Sequence, residues 1–203
     1  QGTIKRWNQV SLDWPEKPIV LYGPGADSGT FDTFNQAING SKRDSRSDYI
    51  SSENDNVLVQ GVASNSNALG YFGYAYYAAN RNKLRALPVE SDQGPVMPSL
   101  ETVQNGSYSP LSRPVFIYVN AKSLKDSSSL RAFVQYYLNN ATQLVEKEGS
   151  IPLTKAQYLV VKSKMLKQVQ GTAFGGKIPV GLTISELLNR NIDQTTKRPE
   201  FHQ

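Results

Sequence analysis

Residues 18–39 read "PIVLYGPGADSGTFDTFNQAIN" and predict one β-strand followed by one α-helix. The apolar run at residues 18–23 is typical of a short buried strand that a proline opens. Phe31, Phe34 and Ile38 recur at i, i+3 and i+7, which is the spacing of one face of a helix. A strand that leads through a glycine-rich turn into a helix is the basic unit of an α/β protein.

The turn between this strand and helix has three interpretations. It is a surface turn in which Ser28 only caps the helix, or it binds an anion, or Ser28 is a nucleophile. The free N–H groups of a first helical turn and the helix dipole favour an anion. Ser28 and Thr30 add hydroxyl donors, and Gly29 lets the backbone approach a ligand closely. From these residues alone, capping and anion binding are equal alternatives.

A catalytic role for Ser28 lacks a partner in the sequence. A serine needs a base to take its proton, and the single histidine is His202, in the polar C-terminal tail. The hydrolase pattern Gly-x-Ser-x-Gly is absent, and a Ser–Lys pair stays open although no motif places a lysine. Thr30 follows Gly29 where a nucleotide-binding P-loop needs lysine. We therefore predict no enzyme, no catalytic residue and no metal site.

Composition narrows the class of protein further. The chain has 203 residues, a net charge of +5 and no cysteine, so disulfides and cysteine zinc sites are excluded. Its basic residues are scattered, which favours a solvated basic surface over a nucleic-acid interface. No apolar run reaches the length of about 18 residues that a membrane helix needs. Asp44, Asp48 and Glu53 lie in a charged stretch and are predicted to be solvated.

The second half of the chain is predicted to be mainly helical. The run at residues 115–119, "VFIYV", predicts a strongly apolar strand. From Ser129 onward an apolar stripe predicts a long helix, and capping boxes that begin at Thr154 and Thr183 predict two more. The change of pattern near residues 110–120 indicates that the chain passes between two packing units there.

Several stretches together resemble the substrate-binding proteins of bacterial phosphate ABC transporters, in their cyanobacterial-like branch. They occur in family order and cover nearly the whole chain, and they read "GPGADSGTFDTF", "SRSDYISSENDNVLVQGVA", "ALGYFGYAYY", "VMPSLETVQNGSYSPLSRPVFIYV" and "VGLTISELLNR". The resemblance implies a type II periplasmic-binding-protein-like α/β fold, with two lobes of mixed sheets flanked by helices. Residues 1–112 would form most of the phosphate-binding lobe. Residues 113–203 would hold the strand that returns through the hinge and the helical part of the other lobe.

The resemblance also implies the site. The Ser-Gly-Thr turn of the family matches Ser28, Gly29 and Thr30, which would hold phosphate through backbone N–H groups and hydroxyls. Many members carry an arginine shortly before this turn, where this chain has glycine and proline. Arg46 is the candidate replacement, because a guanidinium presents a fork of donors to phosphate, and a solvated loop charge is the equal alternative. Asp27 is predicted either to orient that arginine or only to shape the turn.

The chain is shorter than mature members of this family, so the first lobe is expected to be incomplete at its N-terminus. The resemblance places in that missing part the carboxylate that accepts the proton of hydrogen phosphate. We therefore expect this chain alone to bind phosphate weakly or not detectably, because half a cleft leaves the anion exposed to water.

The predicted function is capture of inorganic phosphate in the cleft between the lobes and delivery to an ABC-type membrane permease. The predicted location is the periplasm or the cell surface, without a cofactor, a nucleic-acid partner or a membrane span. The first alternative is a binding module of the same fold that serves another oxyanion, phosphate sensing or surface adhesion. A serine hydrolase is the third functional hypothesis, after phosphate capture and this alternative.

Overall fold

A computed structural model describes residues 2–41, 44–91, 94–171 and 180–189. Contacts within the chain define two compact units, Gln1–Leu87 and Pro88–Gln203. The lobe division predicted between residues 112 and 113 lies further along the chain and stays a prediction. None of the helices in the described ranges is long and apolar enough to cross a membrane.

The first unit is built on a three-stranded parallel sheet with strand order β2-β1-β3. The strands are β1 (Val20–Gly23), β2 (Ile50–Ser51) and β3 (Ala68–Gly70), and the helices are α1 (Gly29–Asn39), α2 (Asp55–Ala63) and α3 (Tyr74–Ala79). Strand and helix alternate along the chain, which confirms the predicted α/β class.

The first crossover runs from β1 to β2, and the second runs in the opposite direction, from β2 past β1 to β3. Right-handed connections therefore place α1 and α2 on opposite faces of the sheet. On one face the Tyr22 ring lies so close to Gly61 of α2 that a Cβ atom there would be 2.2 Å from the ring. Tyr71 lies over Gly23, the next residue of β1, and stacks on Phe34 of α1 with ring centroids 3.9 Å apart. The alternation of strand side chains therefore separates the two packing faces.

Helix α1 confirms the predicted strand-turn-helix unit. Phe31 is buried on its inner face, and the left-handed Gly40 (φ 73°) ends the helix. Asn35, which the apolar pattern does not single out, is 2% exposed and donates to the carbonyl of Phe31. Ile38 in the last turn is exposed.

The second unit contains an antiparallel hairpin and five helices within the described residues. They are β4 (Val89–Ser91), β5 (Gly94–Val96), α4 (Leu100–Gln104), α5 (Ala121–Asp126), α6 (Ser128–Lys147), α7 (Lys155–Leu166) and α8 (Ile184–Asn189). Three residues of α6 at i, i+4 and i+7 are buried: Val134, Leu138 and Ala141.

The predicted capping boxes are present. Thr154 and Gln157 exchange two hydrogen bonds at the start of α7, with N–O distances of 2.9 and 3.3 Å. Thr183 and Glu186 do the same before α8, at 2.9 and 3.2 Å. Each box satisfies amides that would have no acceptor inside the helix, so these short sequence signals locate the helix starts.

The predicted strand at residues 115–119 is not formed. The segment carries neither helix nor strand, and the side chain of Val115 is 90% exposed. The sheets of the described residues consist of β1 to β3 and of β4 with β5, and this segment belongs to neither sheet. Because a strand exists only through its hydrogen bonds to a neighbour, the apolar pattern alone did not suffice.

Candidate anion-binding turn and arginine loop

The carboxyl ends of the three parallel strands in the first unit lie at one edge of the sheet. Gly23, Ser51 and Gly70 end the strands, and each is followed within a few residues by the start of a helix. In open α/β sheets this edge is where ligands bind, since loops and helix N-termini meet there. The turn predicted from the sequence, residues 24–28, belongs to this edge.

Ser28 is the N-cap of α1, with φ −84° and ψ 130°. Its hydroxyl oxygen accepts the Thr30 N–H at 3.1 Å, and its own N–H donates to the Gly25 carbonyl at 3.1 Å. The cap uses the hydroxyl as an acceptor, so its hydrogen can still donate. The amides of Gly29 and Phe31 belong to the first turn, where a helix supplies no internal acceptor. The turn thus combines capping with N–H groups suited to an anion.

Gly25 in the turn and Gly23 just before it lie under side chains that the sequence did not connect with the turn. A Cβ atom at Gly25 would be 2.0 Å from Oε1 of Glu53, and one at Gly23 would be 2.7 Å from the ring of Tyr71. Tyr49 also covers the turn, and its hydroxyl donates to the Pro24 carbonyl at 3.0 Å. A side chain at Gly25 would have to displace the exposed carboxylate of Glu53.

The covering tyrosines stay neutral over the physiological range. Burial, assisted by Tyr49, raises the pKa of Tyr71 to about 12. Burial and then the charge of Glu53 raise the pKa of Tyr49. Burial followed by Glu53 also raises the pKa of Asp55, whereas its hydrogen bond to the Gly73 backbone acts in the opposite direction. The negative charge of Glu53 therefore contributes to the raised pKa of both Tyr49 and Asp55.

Arg46 is held in place rather than freely solvated. Its Nε and Nη2 atoms donate to the two carboxylate oxygens of Asp48 at 2.6 and 2.8 Å, and Nη1 donates to the Ile4 carbonyl at 3.1 Å. A guanidinium has five N–H donors, so this arrangement leaves two of them for a ligand. Asp48 is exposed to solvent, as predicted, and its carboxylate also pairs with Arg46. The orienting role considered for Asp27 is taken by Asp48, and Asp27 is exposed in the turn.

Some of the predicted site residues lie together in the structure, and Arg46 lies apart from them. Ser28, Gly29 and Thr30 form one turn at the carboxyl end of β1. The hydrogen bond of Arg46 to Ile4 places it beside the N-terminal segment, whose next residue, Lys5, accepts the N–H of Ile19 at the amino end of β1. No hydrogen bond or ion pair joins Arg46 to the turn within the described residues. Its role as a phosphate ligand stays a prediction.

Other predicted features add no chemistry to this edge. The side chains of the described ranges contain no group of His, Asp and Glu residues that could hold a metal ion. His202, the only histidine, lies outside the described residues. The hydrogen bonds described for Ser28 run to backbone amides and a backbone carbonyl, and none supplies a base.

A parallel sheet with an anion-suited turn at its carboxyl edge is common among α/β proteins that bind ligands. The chain matches the PBP superfamily domain over residues 1–141, and it belongs to that superfamily. The predicted periplasmic-binding-protein-like fold is thereby confirmed.

Individual relatives agree with this family. The chain is 50% identical over 190 residues to protein SphX of Synechocystis sp., a match that covers 94% of this chain and 56% of SphX. It is 36% identical over 165 residues to the phosphate-binding protein PstS of Staphylococcus saprophyticus, covering 81% of this chain and 50% of PstS. The chain spans about half the length of these curated relatives.

A solved structure shows the same likeness. The crystal structure of a possible phosphate binding protein from Planctomyces limnophilus is 40% identical to this chain, with a TM-score of 0.70. The match covers 83% of this chain and 60% of that one. PstS is named as a binding protein and not as an enzyme, in agreement with the predicted absence of catalysis.

Proposed function

We propose that this chain belongs to a solute-binding protein that captures inorganic phosphate. The observation that carries the proposal is the first turn of α1, where Ser28 caps the helix and the amides of Gly29 and Phe31 have no acceptor within the helix. Relatives named as phosphate-binding proteins support phosphate as the anion. In the complete protein the loaded form would deliver phosphate to an ABC-type permease, in the periplasm or at the cell surface.

Arg46 is the proposed charged partner of the anion. Its guanidinium is already fixed by Asp48, so little side-chain entropy would be lost when the two remaining N–H groups bind an oxyanion. Because its contacts run to the N-terminal segment, Arg46 would approach the turn only after its loop moves. The turn and Arg46 are therefore tested by separate substitutions.

The test is calorimetric titration of phosphate, and then sulfate, into two proteins. One is this chain, and the other is a longer version that adds the portion of the relatives outside the match. Tight, phosphate-selective binding by the longer protein, with weak or undetectable binding by this chain, is the expected result. If neither protein binds phosphate, phosphate capture is wrong. Equal affinity for sulfate would favour the alternative of a more general oxyanion module.

Variants of the longer protein assign the residues. Ser28→Asp preserves helix capping but places a negative charge where the anion would lie, so phosphate binding should be lost. Arg46→Ala should weaken binding at least about tenfold, since a charge-assisted hydrogen bond contributes roughly 1.5–3 kcal/mol. Arg81→Ala is the matched control, because Arg81 is an exposed arginine that packs on Tyr74 and Tyr77. If Arg46→Ala binds like Arg81→Ala, another group neutralises the anion.

A further inference from the structure

Helix α7 of the second unit carries apolar side chains on two sides. One side packs on α6, because burial chiefly raises the pKa of Tyr158, and Tyr137 and Glu146 of α6 add to this effect. On another side Leu159 is 67% exposed and Leu166 is 70% exposed. A helix at the surface of a globular protein normally carries polar residues on its outer side. The two leucines therefore call for a partner or a role that packing within the unit does not supply.

Two lysines alternate with these leucines along the helix. Lys155, Leu159, Lys162 and Leu166 follow one another at i, i+4, i+7 and i+11, and we call these four residues the α7 stripe. This spacing keeps them on one side of a helix. Lys155 is exposed and Lys162 is half-buried. A lysine can lay its aliphatic stem along a neighbouring leucine and keep its ammonium group in water. The α7 stripe thus combines an apolar line with positive charge.

The charge along this part of the chain has one sign. Residues 149–185 contain five lysines and no aspartate, glutamate or arginine. The carboxylate of Glu146 acts on Tyr158, which is on the packed side of α7. On the neighbouring α8, Glu186 accepts hydrogen bonds from Thr183 at the start of its own helix. The α7 stripe therefore favours an anionic partner over the length of the helix, which is about 18 Å.

The types of side chain distinguish a lipid surface from a protein partner. Protein interfaces are enriched in aromatic residues and arginine, and they are depleted in lysine. The α7 stripe has the opposite composition, with lysine as its cation and leucine as its apolar residue. Lysine is a flexible point charge that needs no fixed geometry, so it suits mobile lipid headgroups. Leucine suits the boundary between headgroups and acyl chains, which favours a membrane.

We propose that the α7 stripe is a membrane-docking face and that its partner is a bilayer surface that contains anionic lipids. Helix α7 would lie in the plane of the surface, with Leu159 and Leu166 at the acyl boundary and the lysines among the headgroup phosphates. The contact is reversible, because two leucines bury far less apolar area than a spanning helix does. This inference is independent of the anion-binding turn, so docking and phosphate capture are tested separately.

The test is flotation with lipid vesicles, in which bound protein rises with the lipid. It uses this chain and the longer version that adds the portion of the relatives outside the match. Vesicles of equal parts phosphatidylglycerol and phosphatidylcholine should bind both proteins at least about tenfold more tightly than phosphatidylcholine alone. Added salt should release the proteins, since screening weakens the attraction between exposed charges.

Other outcomes of the flotation experiment would overturn the proposal. Lack of binding by the longer version would show that the added polypeptide covers the α7 stripe. Equal binding to the two kinds of vesicle would show that anionic headgroups are not recognised. Release by excess inorganic phosphate at constant ionic strength would place the headgroup in the anion-binding turn instead. Binding to polyglutamate but not to vesicles would identify an acidic protein surface as the partner.

Substitution of the leucines locates the contact. Leu159→Glu places a carboxylate at the acyl boundary and should weaken binding to the anionic vesicles at least about tenfold, and Leu166→Glu should do the same. Leu12→Glu is the matched control, because Leu12 is 95% exposed but lies in the first unit. Equal binding by the Leu159 and Leu12 variants would contradict the proposed face, provided that both keep the circular dichroism of the parent chain.

Substitution of the lysines tests the electrostatic part of the contact. Lys155→Gln should weaken binding to the anionic vesicles about fivefold, the effect of one lysine near such a surface. Lys122→Gln removes the same charge from α5, where Lys122 pairs with Asp126, and should have a smaller effect. If the two variants bind equally, the net charge of the chain and not the α7 stripe draws it to the membrane.

Discussion

Asp48 holds the guanidinium of Arg46 through both of its carboxylate oxygens, at 2.6 Å from Nε and 2.8 Å from Nη2. The pair lies two residues apart in a loop, and the Ile4 carbonyl accepts a third guanidinium hydrogen. The side chain of Arg46 is 26% exposed and that of Asp48 is 47% exposed. Such a two-point contact fixes the plane of the guanidinium, which a lysine in the same loop could not reproduce.

This contact predicts a displaced titration of Asp48. The hydrogen bond from Arg46 lowers the pKa of the Asp48 carboxyl from 3.8 to about 2. Since the folded-state pKa is the lower one, the pair stabilises the fold above about pH 4 and its contribution is lost as the pH falls toward 2. Carboxyl carbon NMR of Asp48 should show a midpoint near 2. Arg46→Gln should move that midpoint back toward 3.8.

Arg81→Gln serves as the control for this titration, because Arg81 contacts Tyr74 and Tyr77 instead of Asp48. It should leave the Asp48 midpoint near 2. A midpoint near 3.8 in the parent chain would show that the ion pair does not persist in solution.

The cap of α1 can be separated from anion binding by stability measurements. Ser28→Ala removes the acceptor of the Thr30 N–H and should lower the free energy of unfolding by about 1 kcal/mol. Ser28→Asp should retain stability, because Asp is an equally good N-cap and its charge suits the helix dipole. Urea denaturation followed by circular dichroism measures both.

Thr154→Ala provides the comparison for this experiment. Thr154 caps α7 in the second unit, so its loss should cost a similar free energy without any effect on anion affinity. If Ser28→Ala and Thr154→Ala change phosphate binding equally, the effect of the Ser28 substitution is one of stability and not of ligand contact.

The sequence predicted those parts of the fold that depend on local pattern. The periodicity of residues 29–39 and the capping boxes at Thr154 and Thr183 correspond to helices in the structure. These signals act within a few residues, where hydrogen bonds and helical spacing are set by neighbours in the chain. The strand that was predicted at residues 115–119 but is not formed shows the limit of such reasoning. A strand depends on hydrogen bonds to a neighbouring strand, and a local sequence pattern does not reveal that neighbour.

The candidate site was predictable only in part for the same reason. Ser28, Gly29 and Thr30 are consecutive, so their turn follows from the strand-turn-helix pattern. Glu53 lies against Gly25, and Arg46 forms a hydrogen bond with Ile4. These residues are far apart in sequence, so no spacing pattern predicts the contacts. Asp48 lies only two residues from Arg46, but the sequence of a charged loop does not predict which carboxylate pairs with which cation.

Because Asn35 is buried, we expect substitution of its exposed neighbour Asn39 to lower the stability of the fold. Asn35 is 2% exposed, and its amide oxygen accepts from Nδ2 of Asn39 at 3.3 Å. Asn39→Ala leaves that buried oxygen without this donor, a loss of roughly 1–3 kcal/mol that the better helix propensity of alanine offsets only partly. Thermal and urea unfolding should therefore show net destabilisation of about 1 kcal/mol.

Gln36 is the matched control for Asn39. It lies on the same helix, and its amide donates to the Gly40 carbonyl at an exposed position. Gln36→Ala should change the free energy of unfolding by no more than about 0.5 kcal/mol. If the two alanine variants are equally stable, water replaces the Asn39 amide and Asn35 is not effectively sealed from solvent.

Gly61 tests the packing of α2 on the sheet. Inside a helix, replacing glycine by alanine normally stabilises by about 1 kcal/mol. At Gly61 the new Cβ would lie 2.2 Å from Cε1 and 2.6 Å from Cζ of Tyr22, so ring or helix must move. Overpacking of this kind costs roughly 1–3 kcal/mol, and Gly61→Ala should therefore be neutral or destabilising.

A double substitution distinguishes this collision from a general effect on the helix. In a Tyr22→Val background the ring is gone, so adding Gly61→Ala should stabilise by up to about 1 kcal/mol. The reversal of sign between the two backgrounds, measured by urea denaturation, is the expected result. If alanine at position 61 stabilises the parent chain as well, Tyr22 does not pack against α2 in solution. The separation of the two sheet faces by Tyr22 and Gly23 would then be wrong.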